Sequence, residues 1–171
     1  MMLSTIILAI ALIPGDAPKP TLPTDWDGEW KGKLQIMPLN GEKHETVMEL
    51  HIAPMKVGKG YSWKIIYGEG KKQQVRNYEL IPQEKANHFV IDEKNGLLID
   101  SFLVGSTMHS QFQVADSLIP VRYELKGEIL TFSLASYATK DARTTKLAKG
   151  EFDAIAFKLE AVQVAELRKA K

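Results

Sequence analysis

Apolar and polar residues alternate in short runs along most of the chain. In the first of these runs Trp30, Leu34 and Ile36 fall on one face, whereas Lys31 and Lys33 fall on the other. A period of two residues predicts a β-strand with one buried and one solvated face. The same alternation recurs at 46–52, 61–67, 74–81, 88–92, 97–104, 108–114, 119–125, 129–134 and in a last run that contains Ile155 and Phe157. The pattern therefore predicts an all-β protein.

Turn signals between the runs predict consecutive hairpins. Asn95 and Gly96 separate two apolar runs, and both residue types tolerate a positive φ. Residues 126–128 (Lys-Gly-Glu) form a second tight connection. Successive hairpins predict an antiparallel meander, and long meanders close on themselves because closure removes exposed edges. We therefore expect an up-and-down β-barrel of about 8 to 10 strands, with a β-sandwich as the alternative.

The two ends of the sequence differ in composition from the alternating region. Residues 1–17 hold an apolar run that is too short to span a bilayer and is typical of a signal peptide, although a membrane tether or a first strand is the alternative. Residues 18–25 carry three prolines and predict a stiff leader. The barrel is expected over 26–162, with a basic loop or short helix at 139–150 and a basic tail at 163–171. The expected location is secreted or periplasmic.

Composition limits the partners. The 171 residues carry a formal net charge of +1, which gives no reason to expect nucleic acid or an anionic membrane. The sequence contains no cysteine, so disulfides and thiolate chemistry are excluded. We expect a monomer with no stable membrane span.

The first strand carries a short motif. Gly28-Glu29-Trp30 is a G-x-W triplet at the start of the strand. Together with the meander, this triplet resembles the opening of the lipocalin-like (calycin) barrels. The resemblance implies a barrel whose closed end is plugged by Trp30, with an arginine from a late strand packed over the ring. Arg122 is one candidate for this position, and Lys158 on the last strand is another. The alternative is that Trp30 is an ordinary core aromatic residue of another all-β fold.

The inward faces of the predicted strands are rich in aromatic residues. Small barrels bind ligands in an apolar interior that opens at one end. Arg76 and Tyr78 share a strand face, so they could pair with a polar group of a ligand, although a position of Arg76 at the rim is the alternative because unpaired buried charge is costly. The predicted ligand-binding residues are Tyr61, Trp63, Tyr67, Arg76, Tyr78, Phe112 and Tyr123.

Other chemistry has little support in the sequence. There is no G-x-S-x-G, phosphate-binding loop or dinucleotide-binding motif, and no histidine pair has the spacing of a metal site. We therefore expect no enzyme, no metal and no cofactor. The first hypothesis is an exported barrel that binds a small, largely apolar molecule without a covalent bond. The alternative is an interaction module with a packed core that binds another protein.

Overall fold

The computed structural model describes residues 21–170 except 58, 147, 149 and 151. The predicted signal peptide and residues 18–20 of the predicted leader lie outside the described residues. No helix in the described part of the chain is long and apolar enough to cross a bilayer. The strands are β1 (Gly28–Pro38), β2 (His44–Pro54), β3 (Tyr61–Tyr67), β4 (Gln74–Pro82), β5 (His88–Asp92), β6 (Leu98–Val104), β7 (Thr107–Val114), β8 (Ser117–Lys126), β9 (Ile129–Lys146) and β10 (Asp153–Lys169).

The ten strands form one closed antiparallel barrel. Each strand pairs with its neighbours in the sequence, and β1 closes the barrel by pairing with β10 from Trp30 opposite Lys169 to Pro38 opposite Ala161. Both predicted hairpins are present, with Gly96 and Gly127 at positive φ. The predicted all-β barrel is confirmed, and the sandwich alternative is wrong.

One end of the barrel is filled by tryptophan rings. Trp26, Trp30 and Trp63 are all almost completely buried, and Nε1 of Trp30 donates a 2.8 Å hydrogen bond to the carbonyl oxygen of Trp26. The ring centroids of Trp26 and Trp63 lie 6.3 Å apart. Trp26 belongs to a short 3₁₀ helix, Thr24–Trp26, and Leu22 before it is also buried. Residues 22 to 25, predicted as part of an extended leader, therefore belong to the closed end.

A basic side chain does cover Trp30, but neither predicted residue supplies it. Nζ of Lys169 lies 5.1 Å from the centroid of the Trp30 ring, within the range of a cation–π interaction. Arg122 instead points outward and pairs with Glu124 at 2.6 Å. Lys158 is exposed on β10, beyond the last pair that this strand makes with β1. The predictions for Arg122 and Lys158 are thus wrong.

The predicted basic tail is part of the barrel. β10 runs to Lys169, and its residues Ala165 and Leu167 are fully buried whereas Glu166 and Arg168 point to solvent. This segment has an alternating pattern, but a small alanine occupies one of its inward positions, which weakens the signal. Pairing with β1 decides its structure, because that pairing closes the barrel.

The last hairpin extends beyond the barrel wall. The pairing of β9 with β8 ends at Ala138, and the pairing of β10 with β1 ends at Ala161. Further out, β9 and β10 pair with each other as a two-stranded ribbon that includes Lys146 opposite Asp153. The loop or helix predicted at 139–150 is therefore a strand as far as Lys146. Ile155 and Phe157, the apolar residues of the last alternating run, are 59% and 39% exposed on this ribbon.

Candidate functional site

A cavity of about 70 Å³ lies inside the barrel, between the packed tryptophans and the open end. Inward side chains of the strands from β3 to β9 surround it, and most of them are apolar or aromatic. Six of the seven predicted ligand-binding residues line this cavity: Trp63, Tyr67, Arg76, Tyr78, Phe112 and Tyr123. The alternation of the strands thus selected the inner face correctly.

Tyr61 does not line the cavity. It shares the inner face of β3 with Trp63 and Tyr67, but its hydroxyl lies at the closed end, where it accepts a 2.9 Å hydrogen bond from the backbone N–H of Leu22. Alternation assigns a face but no height along the barrel axis. Six residues of a strand span about 20 Å, so Tyr61 and Tyr67 lie at opposite ends of the interior.

The floor of the cavity is an aromatic cluster with one unsatisfied polar atom. Tyr123 packs edge-on against Trp63 with 5.1 Å between ring centroids, and Phe132 lies 5.1 Å from Tyr123 on the other side. Burial raises the pKa of the Tyr123 hydroxyl far above its ordinary value, so the group is neutral at physiological pH. Nε1 of Trp63 is buried and makes no hydrogen bond with the described residues.

The Trp63 N–H is close to the Tyr123 hydroxyl without bonding to it. The contact offsets part of the effect of burial on the pKa of Tyr123, but the two groups do not form a well-aligned hydrogen bond. An unsatisfied buried donor costs about 1–3 kcal/mol. A ligand or water that offers an acceptor in the cavity would recover this energy.

Arg76 lies at the mouth of the cavity among polar and aromatic groups. Its guanidinium carbon is 5.2 Å from the centroid of the Tyr67 ring, a cation–π arrangement. Burial disfavours the charge on Arg76, but the oxygens of Tyr78 and Tyr67 outweigh this effect and raise its pKa. Arg76 lines the cavity but is exposed to solvent, which agrees with the rim position rather than with a buried charge.

Burial raises the pKa of both tyrosines beside Arg76. For Tyr67 and for Tyr78 the positive charge of Arg76 partly offsets that effect. Both hydroxyls are therefore neutral at physiological pH, and each can donate and accept hydrogen bonds. The mouth thus offers the positive charge of Arg76 and two neutral hydroxyls to a ligand, with the Glu93 carboxylate beside them.

Eight of the fourteen residues that line the cavity are not among the predicted ligand-binding residues: Ile65, Ile91, Glu93, Ile99, Ser110, Val121, Phe132 and Leu134. Alternation alone places Glu93 and Leu134 on inner faces. Glu93 follows Ile91 on the inner face and lines the cavity, but its position in a polar turn suggested a solvated carboxylate. Leu134 follows Phe132 on the inner face in the same way.

A wider vestibule of about 350 Å³ lies beside the cavity at the open end of the barrel. Tyr67, Arg76 and Leu134 line both spaces, so these three side chains form the partition between them. The described residues that line the vestibule include Lys72 as a second cation and no carboxylate. Its electrostatic character is therefore positive.

Two buried serines inside the barrel satisfy each other. The hydroxyls of Ser101 and Ser110 are buried and lie 2.7 Å apart across β6 and β7. Ser110 lines the cavity, but its partner is another hydroxyl, which cannot act as a general base near neutral pH. Among the described residues, no group of three or more histidine or carboxylate side chains could hold a metal ion.

A larger depression, of about 470 Å³, lies on the outside of the barrel. It is a shallow area of the outer wall around Phe102, Pro120 and Val162. Of the two buried side-chain atoms without a partner among the described residues, neither belongs to the lining of this depression. The smaller interior cavity is the better candidate site, because it lies inside the barrel and contains the unsatisfied Trp63 N–H.

Comparisons with known proteins support the architecture. No family model and no curated protein matches the chain. The crystal structure of a protein of unknown function from the DUF3598 family of Nostoc punctiforme PCC 73102 is similar, with a TM-score of 0.60 and 13% identity over 89% of this chain and 51% of that one. The present chain thus spans about half the length of that protein. At this level of identity the likeness extends to the fold.

Crystal structures of two single-residue mutants of the fluorescent protein UnaG are also similar. Their TM-scores are 0.46 and 0.45, with 14% and 13% identity over 88% and 87% of this chain and 99% of each of theirs. The barrel that the lipocalin-like resemblance implied is present in the structure, whereas no family match assigns the chain to the lipocalins.

Proposed function

We propose that the protein is an exported, non-catalytic carrier that binds a small, largely apolar molecule inside the barrel without a covalent bond. The observation that carries this proposal is the unsatisfied N–H of Trp63 in an otherwise aromatic and aliphatic cavity. An empty space beside an unsatisfied buried donor lowers the stability of the fold, so it is not expected in a core that serves packing alone. A ligand atom that accepts a hydrogen bond from Trp63 accounts for both the space and the donor.

The two interior spaces suggest how such a ligand lies. The cavity of about 70 Å³ has room for a small apolar fragment, whereas the vestibule of about 350 Å³ lies within the range of roughly 300–1,000 Å³ that is usual for ligand pockets. In our proposal the apolar part of the ligand enters the cavity, and its polar end stays near Arg76 and Tyr78. Binding then requires the side chains of Tyr67 and Arg76 to rotate, because they divide the two spaces.

The alternative is a packed interaction module without a ligand. The closed half of the barrel is filled, which agrees with such a module. The open half is not filled, and its lining combines a cation, a carboxylate, hydroxyls and aromatic rings. This lining favours the carrier over the module.

The first experiment is native mass spectrometry of the protein purified from its own cells, with a solvent extract analysed alongside. We expect a near-stoichiometric additional mass, which the extract identifies. The identified molecule is then titrated against the apo protein while the tryptophan emission is recorded. Trp63 lies at the floor of the cavity, so its emission should respond to binding.

Two substitutions localise the binding, and each has a matched control. Arg76→Gln removes the cation at the mouth, and Arg122→Gln removes an arginine from the outer wall. Trp63→Phe removes the N–H at the floor while an aromatic ring stays in place, and Trp26→Phe changes a neighbouring tryptophan that does not line the cavity. We expect weaker binding only for Arg76→Gln and Trp63→Phe. Equal effects of the members of a pair would exclude the interior as the binding site.

Export is part of the proposal and has its own test. The intact mass of the protein from the periplasm or culture medium should correspond to a chain cut within residues 1–20. Recovery from the cytosol with the N-terminal segment intact would contradict export and leave the ligand proposal unaffected.

A further inference from the structure

The outer ribbon formed by β9 and β10 has two edges that differ in character. The β9 edge carries Lys140, Asp141, Arg143 and Lys146, and Asp141 has a φ of 60°. The pairing shifts there, so that residues 139–142 of β9 lie opposite Phe157 alone. Charges and bulges are the features by which proteins protect strand edges from pairing.

The β10 edge lacks this protection. Its central residues Ala154, Ile155, Ala156 and Phe157 carry no charge and include no proline. Among the described residues, the segment 153–159 pairs with β9 and with no second strand. Ile155 and Phe157 are exposed on it, as is Phe152 just before it.

A partner strand would also stabilise the ribbon beyond the barrel. A hairpin of two strands is marginally stable in water, and three or more strands are usually needed. The part of the ribbon beyond the barrel extends for about seven residues, or about 24 Å. A third strand added along β10 would satisfy its free backbone groups and cover part of its apolar surface.

We propose that the edge of β10 at residues 153–159 pairs antiparallel with the same edge of a second copy of the chain. A two-fold axis at Ala156 would relate the two copies of this edge, and the residues that it places opposite each other are complementary. In that register Ile155 lies opposite Phe157 of the second copy, and Lys158 lies opposite an alanine. No like charges face each other, and the two largest apolar side chains meet across the interface.

The product is a four-stranded sheet in which both outer edges are the bulged and charged β9 edges. The association therefore stops at two copies, because β9 resists further pairing. The antiparallel arrangement places the two barrels at opposite ends of the joined ribbons. One short pair of strands buries little surface, and we expect a dimer that dissociates on dilution. This association is independent of the proposed ligand.

The test is sedimentation velocity of the purified protein over a wide range of concentrations. We expect the average molar mass to double towards high concentration. In the proposed register, Ile155→Lys with Phe157→Lys places two lysine pairs face to face, which should raise the dissociation constant about tenfold or more. Ile155→Lys with Phe157→Glu places each lysine opposite a glutamate and should restore the dimer.

Val104→Lys is the control, because Val104 is an exposed apolar residue of β6 that lies outside the ribbon. It should leave the association unchanged, and circular dichroism should show the same fold for all variants. A monomer at every concentration would overturn the proposal. Association that survives the double lysine variant, or that the lysine–glutamate variant fails to restore, would overturn it as well.

Discussion

Gly32 lies where β1 and β10 close the barrel. Replacing it by alanine tests whether the two strands have space for a Cβ atom between them. It pairs with Leu167 of β10 on one side and with Met48 of β2 on the other. A Cβ at this position would lie 2.1 Å from the backbone oxygen of Glu166 and 3.0 Å from Cδ2 of Leu167. Close contacts between carbon and a carbonyl oxygen are about 3.3 Å, so the strands would have to separate by about 1 Å.

The expected cost of Gly32→Ala is large, because the contact is with backbone rather than with a flexible side chain. Overpacking of a core costs about 1–3 kcal/mol where neighbouring side chains can move, and we expect at least about 3 kcal/mol here. The lower flexibility of alanine in the unfolded chain offsets only about 0.4–1 kcal/mol of this loss. The net result should be a clear loss in the free energy of unfolding.

Urea unfolding followed by tryptophan emission measures this loss, since all three tryptophans are buried at the closed end. Lys33→Ala is the control, because Lys33 is the next residue and its side chain points to solvent. The control should change the free energy of unfolding by less than about 0.5 kcal/mol. A loss below about 1 kcal/mol for Gly32→Ala would show that the two strands can separate at little cost, and it would refute the reasoning.

Three further predictions concern the closed end and the outer wall. Trp63→Ala should lower the free energy of unfolding by about 3–5 kcal/mol because the side chain is fully buried, whereas Trp63→Phe should cost less than half as much; urea unfolding compares them, and equal losses would contradict the account. Lys169→Met should cost about 0.5–1 kcal/mol by removing the cation from the Trp30 ring, and Lys158→Met, measured in the same way, should cost nothing. The hydrogen bond from Lys31 holds the pKa of Glu49 below its ordinary value, so the resulting stabilisation is complete above the unfolded pKa of roughly 4.3 and is lost as the pH falls through the lower folded value. Glu49→Gln should therefore reduce the fall in the urea midpoint between neutral and acid pH, and an unchanged pH profile would rule out this pair as a contributor.

Several features of the site could be predicted because they depend on local alternation. The inner face of β3 and β4 follows from the period of two residues, which by itself assigns Trp63, Tyr67, Arg76 and Tyr78 to the interior. Tyr61 shows the limit of that reasoning. It has the correct face but lies at the closed end beside Leu22, because its height depends on how the strands are staggered around the barrel.

The same limit explains the errors near the C-terminus. Residues 139–150 carry many charges and few large apolar side chains, so their own sequence suggests a solvated connection. They continue as a strand to Lys146 because β10 offers a partner along the ribbon. Ile155 and Phe157 alternate like core residues, yet they are exposed because β1 ends before it can reach them.

By itself, the sequence of this protein determined the first eight strands, their hairpin connections and the inner face of each, because side chains alternate with a period of two along any strand. The tertiary structure alone decided which residues meet inside the barrel. Barrel closure and the stagger of the strands brought Lys169 over Trp30, left the N–H of Trp63 without a partner among the described residues and placed Tyr67 and Arg76 between two spaces. These relations join residues that are far apart in the chain, and no local pattern contains the distances between them.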